Sequence, residues 1–246
     1  MSNYIMPMAG NGSRFRDAGY ILPKPLIVAP RDYGRMNIPM FIGAMQTARE
    51  AFFSTEDDLY VFICRREHEL AVRSWLQIVP WQYELVLVDE VTGGAAESVA
   101  LAEEVLVRRG RLHLPTVVVN SDQYIYTLSC VEIKDKPLVL CFQPHGDLHH
   151  LRKWSYVIDG HLVEKPQTPP PSGEGLGTVG VYGLPSGQAL FDGIRAMKAA
   201  EFRVNGEYYF APSLNFTGLP IQTELVYSMA PLGTPEDLNR YLEGLK

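Results

Sequence analysis

Residues 8–15 read MAGNGSRF and follow directly on an apolar run, Tyr4-Ile5-Met6-Pro7. Two glycines, a serine and an arginine fall within positions 10–14. An apolar run that closes on such a cluster reads as a buried strand handing over to a turn. In open α/β sheets, ligands bind at the carboxyl ends of strands, where this turn would sit. Gly10 and Gly12 would let backbone N–H groups approach a polyanion closely. Ser13 adds a hydroxyl, and Arg14 adds a planar fork of donors that suits phosphate. The two commoner nucleotide loops do not fit. A P-loop needs a lysine after its last glycine, and a dinucleotide fingerprint needs a third glycine where Phe15 stands. On these residues alone the stretch is either a strand-to-helix turn with a solvated arginine or a loop that holds phosphate.

The chain around it alternates short apolar runs with longer helical patterns. Runs at 4–8, 59–64, 84–88, 116–119, 138–142 and 178–182 predict strands. Two of them, TVVV at 116–119 and LVLCF at 138–142, are continuously apolar, as a strand covered on both faces reads. Helices are predicted over 39–53, 67–76, 95–109 and 187–200. This alternation predicts an α/β sandwich around a largely parallel sheet. Asp159-Gly160 predicts a hairpin turn between SYVI and HLVE. TPPPSGEGLG, residues 168–177, reads as an exposed loop. Thr234-Pro235-Glu236-Asp237 reads as an N-cap, an N1 proline and an acidic first turn, opening a helix that ends near Leu245. One domain spanning 1–246, with an antiparallel excursion, is expected.

Composition narrows the functional classes. The 246 residues are 46% apolar and 20% charged, with a formal net charge of −6. The acidic balance weighs against general nucleic-acid binding, which favours a basic face. Cys64, Cys130 and Cys141 are few, odd in number and far apart, so a reduced, cytoplasmic setting fits better than a disulfide framework. No secretory leader is expected, and no apolar run approaches the roughly 20 residues of a membrane span. His145, His149, His150 and His161 lack zinc-ligand spacing and read as loop histidines.

The stretch just downstream, LPKPLI at 22–27, puts Lys24 between two prolines. Proline fixes φ and biases its predecessor toward extended backbone, so Lys24 is expected on a stiff extended segment beside the first loop. The pair MAGNGSRF…GYILPKPLI resembles the signature of the sugar-phosphate nucleotidyltransferases. Further stretches resemble that family in the right order. They are VTGGAAESV at 91–99, VVVNSDQY at 117–124, LVEKP at 162–166, GTVGVY at 177–182 and NGEYYFAPSLN at 205–215. The last is similar to an element of compact capsule-biosynthesis members.

The resemblance implies a three-layer α/β/α Rossmann-like sandwich with a mostly parallel mixed sheet. It implies transfer of NMP from an NTP to a sugar 1-phosphate, releasing pyrophosphate and making an NDP-sugar for surface polysaccharide. Met8, Ala9, Gly10, Gly12, Ser13 and Arg14 would hold the nucleotide, with Arg14 on the departing pyrophosphate. Thr92, Gly93 and Gly94 would face the base. Lys24 would neutralise charge near the α-phosphate, and Asp122 would hold Mg²⁺, with Glu207 the candidate second metal ligand. Lys165 would bind the acceptor phosphate, Glu164 its hydroxyls, and Gly180 would face the substrate. Partners are an NTP and a small phosphorylated acceptor, with no nucleic acid and no membrane; self-association is left open. The chain departs from the family in VAPRDYGRMNIPM, residues 28–40, which lacks a usual Gly-Lys pair; Arg31 or Arg35 is the candidate replacement. Gln123 stands where many members carry a small or acidic residue. Alternatives are a cytidylyltransferase acting on a phosphocholine-like acceptor, a glycosyltransferase, and a non-catalytic nucleotide-binding subunit.

Overall fold

Strand β1 (Asn3–Pro7) runs parallel to β4 (Leu59–Arg65) on one side and to β6 (Thr116–Val119) on the other. The structure, a computed structural model, describes residues 1–31, 36–144, 151–168, 170–171 and 174–245. Strand β5 (Gln82–Val88) extends the sheet beyond β4 in parallel. On the far side of β6 lies β11 (Leu176–Leu184), antiparallel both to β6 and to β8 (Leu138–Phe142). Strand β12 (Gln222–Leu225) then pairs with β8 in parallel. The hairpin β9 (Tyr156–Ile158) and β10 (His161–Val163) hangs on the start of β11. Two small sheets flank this one: β2 (Val28–Arg31) with β3 (Met36–Pro39), and β7 (Gln123–Tyr126) with β13 (Ser228–Pro231).

The central strands β1, β4 and β6 are apolar over most of their length because both faces are covered; Asn3, Thr116 and Arg65 stand at their ends. Tyr4, Met6, Tyr60, Phe62, Val117 and Val119 enter one core. Their neighbours Ile5, Val61, Ile63 and Val118 enter the other. Helices α2 (Met40–Ala51) and α3 (Glu69–Leu76) cover the first face, joined by Leu238 of α7 (Pro235–Glu243). Helices α4 (Ala95–Ala100), α5 (Glu103–Arg108) and α6 (Gly187–Ala199) cover the second. The expected three-layer α/β sandwich is thus the observed architecture.

Several expectations need correction. The helix predicted over 95–109 is two helices. The N–H groups of Leu101 and Ala102 bond three residues back, to Ser98 and Val99. Ala96, Val99, Ala102 and Val105 are all core residues at intervals of three, and a tightened turn keeps that spacing on one face. Ser13 and Arg14 open the short helix α1 (Ser13–Asp17) rather than lie in the loop. Gly12 sits in the left-handed region, and its carbonyl accepts from the N–H groups of Phe15 and Arg16. Lys24 opens a 3₁₀ turn, Lys24–Leu26, instead of an extended segment; the N–H groups of Leu26 and Ile27 bond to the carbonyls of Pro23 and Lys24. The loop expected over 168–177 stops where β11 begins at Leu176; positions 169, 172 and 173 lie outside the described residues. His161 opens β10 rather than lying in a loop. Arg31 is turned inward onto Glu50 and Gln46, at 2.5 and 3.0 Å. Arg35, His145, His149 and His150 lie outside the described residues. The Asp159-Gly160 hairpin turn and the Thr234 cap are present.

Candidate active site

At the carboxyl ends of β1 and β6 lies a cavity of about 350 Å³. Arg14, Lys24, Asp122, Glu164, Lys165 and Gly180 all line it. Six positions spread over most of the chain therefore meet in one cleft.

Asp122 ends the three-residue turn between β6 and β7. Lys24 Nζ donates to Asp122 Oδ2 at 2.9 Å, and both side chains are about a quarter exposed (26% and 24%). Gly180 is required by position. Its φ is +72°, and a Cβ there would stand 2.5 Å from Asn120 Nδ2 and 2.9 Å from Gln123 Nε2. The register of β11 against β8 shifts between Thr178 and Tyr182, around this residue. The glycine thus lets β11 bulge over the end of β6, where Asn120 N–H donates to the Gly180 carbonyl at 2.8 Å. Gln123 is buried and donates to the Asn120 carbonyl at 3.1 Å. Its amide braces the β6–β11 crossing, which a small or acidic residue could not do.

Glu164 is buried, and Ser155 Oγ donates to its Oε2 at 2.6 Å. Burial pushes the Glu164 carboxyl up; the Ser155 bond and the Lys165 charge pull it back, and Glu207 adds a little to the rise. A carboxyl raised on folding stabilises the fold in its protonated form. That contribution is full below its unfolded value of about 4.5 and is lost as pH rises through the folded value. In melting experiments from about pH 4 to about pH 8, the Tm of Glu164→Gln minus that of wild type is therefore expected to grow. A flat or shrinking difference contradicts this environment.

Lys165 has a left-handed backbone, φ +43°. Its Nζ donates to the Tyr209 hydroxyl at 2.8 Å and lies 3.8 Å from Glu164 Oε1. It also sits 4.1 Å from the Tyr209 ring centroid, within cation–π range. Lys153 Nζ bonds Asp237 Oδ1 at 2.7 Å and lies 5.0 Å from the Trp154 ring centroid. Asp237 is on α7, so the start of that helix walls the cavity.

The turn at 92–94 is held from several sides. Thr92 Oγ1 donates to the Gly94 carbonyl at 3.0 Å, and Gly93 N–H donates to Glu97 Oε2 at 2.9 Å. The Lys198 ammonium, bonded to Glu97, and the Gly93 amide hold the Glu97 carboxyl below its usual range. Tyr208 N–H donates to the Gly93 carbonyl, and the Tyr208 carbonyl accepts from Ala96 N–H. Ala95, next in the chain, reaches the cavity, whereas Thr92, Gly93 and Gly94 do not line it. Met8 and Ala9 are buried, and Ser13 is exposed. Gly10, Gly12 and Lys24 edge an adjoining depression of about 420 Å³ with Arg16, Arg65 and His68. Glu207 is exposed beside the Asn205-Gly206 turn and does not line the cavity.

Sequence reasoning missed Lys153, Trp154, Ser155, Tyr209 and Asp237. Lys153 and Trp154 immediately precede the legible hairpin, Ser155 opens its first predicted strand, and Tyr209 lies inside the quoted 205–215 stretch; these placements could have flagged them. Asp237 looked like one more acid in a helix first turn. Among the described residues, no three His, Cys, Asp or Glu side chains cluster as a metal group.

No protein-family model matches the chain, and no curated protein matches it in sequence. Solved structures do match. A nucleoside-diphosphate-sugar pyrophosphorylase from Vibrio cholerae RC9 superposes with a TM-score of 0.74 at 24% identity, covering 98% of this chain and 99% of that one. An inositol-1-phosphate CTP transferase from T. maritima gives 0.72 at 16% identity, over 100% and 94%. A Bacillus anthracis protein, provisionally described as a glucose-1-phosphate thymidylyltransferase and complexed with sucrose, gives 0.72 at 18%, over 100% and 95%. The chain has the Rossmann-like α/β fold these structures share.

Proposed function

We propose that the chain is a sugar-phosphate-type nucleotidyltransferase. The observation that carries this reading is the convergence of Arg14, Lys24, Asp122, Glu164, Lys165 and Gly180 on one cavity. The reaction is R–O–phosphate + NTP → NDP–R + pyrophosphate. An acceptor phosphate oxygen attacks the α-phosphorus, and the bond from that phosphorus to the bridging oxygen of the β-phosphate breaks. Such chemistry needs positioning and charge neutralisation more than a covalent protein group. The Gly10–Gly12 loop offers backbone N–H groups to the triphosphate, and Arg14 grips the departing pyrophosphate. Lys24 neutralises charge at the α-phosphate. Lys165 holds the acceptor phosphate, and the Glu164 carboxyl orients its hydroxyls.

Of the three carboxylates among the described residues that line the cavity, Glu164 and Asp237 are buried and Asp122 is partly exposed; such a partly exposed carboxylate suits Mg²⁺, which keeps waters and substrate phosphates beside one or two protein ligands. Asp122 is the residue that would hold it; Glu207 stands outside the cavity. When bound, the ion supplies further neutralisation of the triphosphate.

The acceptor is a polyhydroxyl phosphate, a sugar or a cyclitol, rather than a phosphocholine-like one. A quaternary ammonium is recognised on open aromatic faces. Here the Trp154 and Tyr209 rings already carry the ammonium groups of Lys153 and Lys165. A product for surface polysaccharide, made in the cytoplasm, agrees with the 205–215 element and with three free thiols. No helix among the described residues is long and apolar enough to cross a membrane.

The test is a matrix of NTPs against phosphorylated acceptors with Mg²⁺, scored by pyrophosphate release. Sugar and cyclitol phosphates are expected to turn over, and phosphocholine at least about 100-fold more slowly, as expected when a site's buried polar groups go unpaired. Equal rates with phosphocholine would reverse the acceptor assignment.

A further inference from the structure

We propose that Tyr209 is a positioning residue for Lys165, and that the Tyr208–Tyr209 step couples this lysine to the turn at 92–96, so that each substrate tightens the binding of the other. The proposal rests on the reading above, in which Lys165 holds the acceptor, and it takes the turn to meet the nucleotide at Ala95, which lines the cavity.

Three observations support it. First, the Lys165 backbone is left-handed at φ +43°, which a non-glycine residue keeps only where its surroundings enforce it. Its head is fixed as well: the ammonium donates to the Tyr209 hydroxyl at 2.8 Å and lies 4.1 Å from the ring centroid. An ammonium has three donors, so one bond to Tyr209 leaves two for a phosphate. A lysine held this way needs little further ordering when the acceptor arrives, and ordering a free long side chain costs affinity.

Second, the residue before Tyr209 is bonded through both of its backbone groups to the other substrate's turn. Tyr208 N–H donates to the Gly93 carbonyl at 2.9 Å, and Ala96 N–H donates to the Tyr208 carbonyl at 3.0 Å. Third, the Tyr208 ring is clamped in turn. It is buried, with the Arg203 guanidinium 4.1 Å and the Lys198 ammonium 5.5 Å from its centroid. Lys198 also bonds Glu97, which holds the Gly93 amide. One short segment therefore carries a rigid link to the turn at one residue and the acceptor lysine at the next. A shift of the turn on nucleotide binding moves the Tyr209 hydroxyl, and by linkage the effect is reciprocal.

The experiment uses the full chain and whichever NTP and acceptor give the fastest pyrophosphate release. Tyr209→Phe keeps the ring and removes only the hydroxyl. Its acceptor KM is expected to rise about tenfold, the scale of immobilising one long side chain, with the NTP KM at low acceptor concentration within about twofold. In calorimetric titration of a non-hydrolysable NTP analogue, saturating acceptor is expected to lower the wild-type Kd at least about fivefold, and Tyr209→Phe to lose most of that gain. An unchanged acceptor KM, or equal rises in both KM values, overturns the positioning role. A wild-type Kd indifferent to acceptor overturns the coupling. Wild-type protein that releases no pyrophosphate with any pair sinks the underlying reading and this proposal with it; release without the KM split sinks the proposal alone.

Discussion

An Asp122→Ala variant is expected to release pyrophosphate about 1,000-fold more slowly than wild type, with its melting temperature little changed. The size follows from removing the carboxylate proposed to hold Mg²⁺ at the triphosphate, since single preorganised contacts to developing charge are worth about 100- to 1,000-fold. The small effect on stability follows from the surroundings. The Asp122 backbone carbonyl accepts from Leu232 N–H at 2.8 Å whatever the side chain is. The side chain's ion pair with Lys24 is about a quarter exposed on each partner, and such a pair contributes less than about 1 kcal/mol after solvent screening. Lys24→Ala is expected to lose turnover on a similar scale. The double variant is expected to fall close to the more severe single, since groups acting as a unit do not add. Wild-type rates in either single variant contradict the roles assigned here.

Gly94→Ala is expected to be the most destabilising single-methyl change near the site. Its φ of +141° belongs to a region that is essentially glycine-only, and occupying it with another residue costs on the order of 1–3 kcal/mol. The added Cβ would also stand 2.7 Å from both the carbonyl carbon and the backbone nitrogen of Tyr208. No rotamer relieves a clash with backbone, so the strand of contacts from Gly93 to Ala96 must open. A loss of about 3 kcal/mol lowers Tm by about 6–12 °C in a chain of this size. Gly180→Ala is milder by comparison, because its two shortest contacts, 2.5 and 2.9 Å, are with side-chain amide nitrogens of Asn120 and Gln123 rather than with backbone. A Gly94→Ala protein that melts within about 2 °C of wild type contradicts the argument.

The parts of the fold that could be read from sequence were those with one dominant physical signal. The continuously apolar runs at 116–119 and 138–142 are β6 and β8, buried on both faces. The Asp159-Gly160 pair turned the chain where the left-handed geometry allowed it. Other elements carried no such signal. Strand β12 reads QTEL, polar and mostly exposed, and is held as a strand by pairing with β8. The break after α4 depends on which face of a helix meets the core, a tertiary property. The site divides the same way. Glycines, prolines and charges at close spacing marked Gly10, Gly12, Arg14 and Lys24, while Asp122 was marked by the family resemblance of VVVNSDQY. Lys153, Ser155, Tyr209 and Asp237 earn their places only through contacts across the fold: Lys153 meets Asp237, and Tyr209 meets Lys165. Such side chains look like ordinary surface residues until the chain is folded.

The wall formed by α7 also bears on how the protein is made. Strand β1, synthesised first, takes the middle of the sheet, while Asp237 emerges from the ribosome after every other residue of the cleft. Until then Lys153 lacks its counter-ion and the cavity stays open on that side. The cleft is therefore built across long sequence separations, with lining residues from Pro7 to Asp237. Contacts between such distant segments form late relative to local ones, so the cleft is expected to be among the last parts of the fold to close.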